Sequence, residues 1–100
     1  MPTNKKTSSA AFGKRLKDVR QAKGFTQEDF SVISSRTYIS ELERGVKTPT
    51  LEKVDELCKE MGVHPLTLLS LTYLSGRQPK DVKKLLRKIE DEMNIILDEE

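Results

Sequence analysis

One hundred residues, 18 of them Lys or Arg and 16 Asp or Glu, make one small domain of net charge +2; at 35% apolar and 34% charged, it has room for a modest core between exposed ends. A single cysteine, Cys58, and a single histidine, His64, exclude an intramolecular disulfide, a His/Cys zinc cluster and any Ser/His/Asp or Cys/His catalytic set. No apolar run approaches the ~20 residues of a membrane-spanning helix and none follows Lys5 and Lys6 as a signal peptide would require, so the expectation is a cytoplasmic protein, not an enzyme, without metal or cofactor.

The elements follow in order. Residues 1–8, MPTNKKTS, lack periodicity and read as a disordered basic arm, in which Lys5 and Lys6 either track phosphate or are merely solvated. A first helix is predicted from about Ala10 to Lys23, capped by Ser8 or Ser9, with Phe12, Leu16, Val19 and Ala22 on one face and Lys14, Arg15 and Lys17 on a solvated one. Gly24 stops it. A second helix is predicted from about Gln27 to Val32, with Thr26 as N-cap, Asp29 in the capping-box position and Phe25 placed to staple onto Phe30. Its start offers free N–H groups to one phosphate, with Gln27 beside them.

Ile33-Ser34-Ser35 is a tight turn, and a third helix runs from about Arg36 to Arg44, capped by Ser34 or Ser35 and ended by Gly45. Ile39 and Leu42 point inward; Arg36, Thr37 and Glu41 lie on the opposite side, flanked by Tyr38 and Ser40. Two short helices, a tight turn and a polar start to the second helix are the layout of a helix-turn-helix, whose second helix enters the DNA major groove. There Arg36 can pair bidentately with guanine, Thr37 can touch a thymine methyl and Glu41 can accept from cytosine.

Val46-Lys47-Thr48-Pro49 is a loop in which Lys47 and Thr48 are placed for phosphate. A fourth helix, Leu51 to Met61, is capped by Thr50 and carries Leu51, Val54, Leu57, Cys58 and Met61 as its apolar stripe, with Gly62 as its stop. A fifth starts near Pro65 and continues to about Leu74; Leu66, Leu69 and Tyr73 are expected to complete the core, which leaves Leu68, Leu71 and Leu74 surplus. A sixth helix follows the break at Ser75–Gln78 and runs from Pro79 or Lys80 to Leu97. Its Val82, Leu86, Ile89, Met93 and Ile96 form a heptad seam. That seam either packs back on its own domain or pairs with a second subunit, and pairing suits a protein that reads two half-sites. Residues 9–75 are thus the DNA-binding domain and 79–97 a dimerisation helix. Residues 1–23 hold seven bases and one acid, residues 90–100 six acids and no base, so one end suits phosphate and the other avoids it.

FGKRLKDVRQAKG, FTQEDF, YISELERG and PTLEKVDELCKEMGVHPLTLL, between residues 12 and 74, resemble the Cro/C1 repressor-like (Xre, lambda-repressor-like) helix-turn-helix family over about three fifths of the chain. The resemblance implies an all-α, five-helix lambda-repressor-like DNA-binding domain of a transcriptional regulator; the predicted extra C-terminal helix lies outside it. The expected mechanism is a homodimer on an inverted-repeat operator in double-stranded DNA. The resemblance implies that Gln27 contacts phosphate, beside Thr26, the capping residue counted with the DNA-binding set. Ser35, Arg36, Thr37 and Glu41 take the base-reading positions, with Ser40 beside them, and Tyr38, Arg44, Lys47 and Thr48 fall where backbone contacts occur. It also implies an ion pair between Arg20 and Glu43. The chain departs from the family pattern by being two residues shorter between TQE and ERG, with Ile33-Ser34-Ser35 replacing a glycine-containing turn, so helix 2 is shorter or the turn tighter. Antitoxin or adaptor relatives supply the competing reading, a protein-interaction module with secondary DNA binding.

Overall fold

Among the described residues eleven apolar side chains close one core: Phe12, Leu16 and Val19, then Phe30, Ile39 and Leu42, then Val54, Leu57, Cys58 and Met61, and finally Leu68. The computed structural model describes residues 4–98. Among them every regular element is helical: α1 (Asn4–Ala22), a 3-10 turn (Gln27–Phe30), α2 (Arg36–Glu43), α3 (Leu51–Met61), α4 (Pro65–Tyr73) and α5 (Pro79–Asp98). The third helix of the sequence reading is therefore α2, and the sixth is α5.

Local chemistry explains most boundaries. Ser35 caps α2 by accepting from the Tyr38 N–H at 3.1 Å, and Thr50 caps α3 by accepting from that of Lys53 at 3.1 Å. Gly62, at φ 74°, ends α3 in the left-handed conformation that costs a glycine little. α4 begins with Pro65 in its first turn, and the capping acceptor is the His64 ring, whose Nδ1 takes the Leu66 N–H at 3.0 Å.

Four expectations need correction. α1 starts at Asn4, not near Ala10, so residues 4–8 of the expected arm are helical; residues 1–3, and the side chains of Lys5 and Lys6, lie outside what is described. Ser9 does not cap α1 but sits inside it, buried, sharing a hydrogen bond with the Thr48 hydroxyl at 2.7 Å. The helix predicted at Gln27–Val32 is only the 3-10 turn, held by the Thr26–Asp29 capping box, and Val32 is 88% exposed. In α4 the core residue is Leu68, wholly buried, whereas Leu66 and Tyr73 are 56% and 68% exposed. The helix is apolar on nearly every side, so its pattern does not say which face α1 will cover.

Gly13 sets how closely α1 and α2 meet. A Cβ built on it would stand 2.3 Å from the Leu42 carbonyl oxygen and 2.6 Å from that of Glu43. The absent side chain lets α1 touch the backbone at the C-terminal end of α2.

Candidate nucleic-acid interface

α2 buries Ile39 and Leu42, which fixes the direction of its outer face. At ~100° per residue, Arg36, Thr37, Ser40 and Arg44 fall within about 100° of one another on that face. With Gln27 from the 3-10 turn they line one shallow polar concavity. Arg36, Thr37 and Arg44 are exposed. Ser40 is half-buried and accepts from Arg44 Nε at 3.2 Å, which aims the guanidinium along the helix.

The concavity is built on a buried ion pair. Arg20 of α1 donates from Nε to Glu43 Oε2 at 2.5 Å and from Nη2 to Glu43 Oε1 at 3.0 Å, while its Nη1 donates to the Phe25 carbonyl at 2.9 Å. The two side chains are 9% and 4% exposed. The hydrogen bond to Glu43 raises the Arg20 pKa above its usual range; burial opposes this and the Glu43 charge adds to it. Gln27 joins the pair by donating from Nε2 to Glu43 Oε1 at 3.0 Å. One buried carboxylate thus ties together α1, the 3-10 turn and the end of α2, and holds the Gln27 amide at the rim of the concavity.

The other expected contacts divide. Ser35 and Thr26 are exposed, but their hydroxyls accept from backbone N–H groups as caps. A four-residue 3-10 turn sums few peptide dipoles, so the phosphate-attracting helix start expected at Gln27 is weaker than that of a full helix. Glu41 lies half-buried outside the concavity, and its carbonyl accepts from the Val46 N–H at 2.9 Å, folding the next loop back on α2. Lys47 and Thr48 are exposed on that loop. Tyr38 is half-buried and turned toward α3, with Lys53 Nζ 5.9 Å from its ring centre.

Sequence reasoning missed Lys53. Its Nζ donates to the Ile33 carbonyl at 3.0 Å and pairs with Glu56 at 2.8 Å, bracing the shortened turn from α3. No periodicity signals such a contact. It also missed Arg15, read as solvated, whose Nε donates to the Leu71 carbonyl at 2.9 Å and joins α1 to α4. Gly13, inside a predicted helix, did carry a signal, because a glycine at such a place marks a close approach.

A polar helix face clamped beside a short turn is the geometry of a groove-reading element. The helix-turn-helix family model HTH_3 matches residues 16–68. The chain belongs to this family of DNA-binding transcription regulators. Its relatives include the control protein C.BamHI of Bacillus amyloliquefaciens, 31% identical over 72 residues that span 69% of this chain and 89% of that protein. They also include the HTH-type transcriptional regulator y4dJ of Sinorhizobium fredii, 37% identical over 62 residues, 60% of this chain and 80% of that one. Among solved structures, the restriction-modification controller protein C.AhdI from Aeromonas hydrophila superposes with a TM-score of 0.62 at 28% identity, covering 66% of this chain and 99% of C.AhdI. About a third of this helix-turn-helix regulator therefore has no counterpart in C.AhdI. Among the described residues no helix is long and apolar enough to cross a membrane.

Proposed function

We propose that this regulator binds an inverted-repeat operator as a homodimer, with α2 of each copy in successive major grooves and half-site centres roughly 34 Å apart or a multiple of that. The dimer forms through the α5 seam of Val82, Leu86, Ile89, Met93 and Ile96. Arg36 and Thr37 read base edges, with Ser35 and Glu41 at the margins of the same face, while Gln27, Tyr38, Arg44, Lys47 and Thr48 meet the backbone. The observation that carries the reading is the concavity of Gln27, Arg36, Thr37, Ser40 and Arg44 on a helix clamped by Arg20 and Glu43. The near-complete coverage of C.BamHI and C.AhdI supports a controller role of the restriction-modification type. Repression, by occluding polymerase in the cytoplasm, belongs to the same proposal.

Selection of bound duplexes from a random pool at physiological salt tests this. An enriched inverted repeat is expected. Weak, salt-sensitive binding without enrichment would overturn it and favour the protein-interaction reading.

A further inference from the structure

α5 presents an apolar face that its own chain covers only in part, at the half-buried Leu85 and Ile89 beside α4. Val82, Leu86, Met93 and Ile96 are 40%, 48%, 52% and 63% exposed, and no α5 residue is buried. Leu85 lines two apolar clefts between α4 and α5, one reaching Leu71 and Leu74, the other Leu69 and Tyr73. Leu69 and Tyr73 also line a third depression that reaches Leu51, so the apolar surface runs on from α5 across α4 to α3.

Charge on the same helix says what covers it. Residues 80–88 carry five bases and one acid; residues 90–98 carry four acids and no base. Two copies side by side in parallel would set base against base and acid against acid. Turned antiparallel, each basic half lies along an acidic half.

We infer that two copies pair through α5 in antiparallel orientation, Val82 of one facing Met93 of the other and Leu86 facing Ile89. The inference rests on the dimeric reading above and adds its direction and register. Antiparallel seams set the two heptad core positions against each other, which allows this register or one in which Leu86 faces Ile96. In the first, Lys83 flanks the seam opposite Glu90 of the second copy. In the other, Glu90 faces its own symmetry mate. The first register also carries Ile96 and Leu97 toward the start of the facing α5, where the cleft lined by Leu71, Leu74 and Val82 lies open.

Cysteine cross-linking tests it in the full chain. Val82→Cys and Met93→Cys chains are purified, checked for helicity by circular dichroism, and oxidised separately and as an equal mixture. Cys58 does not compete, being wholly buried with its thiol pushed up to about 11. The mixture is expected to form an 82–93 disulfide at least tenfold faster than either variant alone, because like positions lie roughly 16 Å apart along the antiparallel helices, beyond disulfide reach. Rapid self-linking of each variant would show parallel pairing and overturn the proposal, and so would no linking in any sample. An unlinked mixture that still protects both half-sites of an inverted repeat removes α5 from the interface while leaving the operator reading standing. A linked mixture that selects no duplex supports the pairing and removes the operator reading.

Discussion

Arg20 and Glu43 show how one residue pair holds a binding face in place. Both are nearly dry, so each buried charge relies on the other for compensation. Arg20→Met strands the Glu43 carboxylate, and urea unfolding is expected to show a loss of about 3–5 kcal/mol. Arg36 stands at the other extreme, exposed and without a structural duty. Arg36→Ala is expected to leave the urea midpoint unchanged and to weaken operator binding by about 1–3 kcal/mol, relaxing preference at one base pair in a panel of substituted duplexes. Equal loss on all sequences would make Arg36 a phosphate contact. Cys58 bears on stability through pH: burial, and then the charge of Asp55, raise its thiol from 9.0 to about 11. The unfolded chain gives up this proton near pH 9 while the folded chain keeps it to about 11, so stability is full below pH 9 and falls as pH rises through that window. Urea midpoints measured across this range are expected to fall more steeply for the wild type than for Cys58→Ala.

Between elements, the close approach at Gly13 decides where α2 can sit. On an open helix, Gly→Ala stabilises by about 0.5–1 kcal/mol. Here the new methyl meets two backbone carbonyls at 2.3 and 2.6 Å, which cannot swing away as a flexible side chain would. Overpacking of this kind costs about 1–3 kcal/mol, so Gly13→Ala is expected to lower the melting temperature and, by pushing α2 outward, to weaken DNA binding as well. A higher melting temperature would show that α1 and α2 part without strain. Elements with explicit punctuation were legible in the sequence: Ser35, Thr50 and Gly62 delimit α2 and α3 by hydrogen bonds that span a few residues. The register of α4 was not, because PLTLLSLTY offers apolar side chains in most directions and only packing selects Leu68. The start of α1 was not legible either, since residues 4–8 include no apolar side chain to mark a helix. In the site, helical spacing gathers Arg36, Thr37, Ser40 and Arg44, whereas the Gln27–Glu43 and Lys53–Ile33 bonds join distant segments and leave no trace in local pattern.

At the scale of the whole molecule, stability and assembly reside in different parts of the chain. Among the described residues every buried apolar side chain lies between Phe12 and Leu68, and α5 adds none. A charge placed on the α5 face therefore spares the fold and acts on the pairing alone. Met93, 52% exposed and in the seam, is the position to use. Met93→Asp is expected to sediment as a monomer at concentrations where the wild type is dimeric, and to share the wild-type urea midpoint at dilutions where both chains are monomeric. Its effect on DNA follows from linkage: a dimer that has engaged one half-site holds its second α2 at a high effective concentration near the other, a gain of about 10²–10⁴ in affinity. Anisotropy titrations should then show the wild type binding a full inverted repeat far more tightly than a single half-site, while Met93→Asp binds the two almost alike. An unaffected dimer would mean that the seam is not the interface. A monomer that still prefers the full repeat would mean that the copies meet on the DNA through another surface.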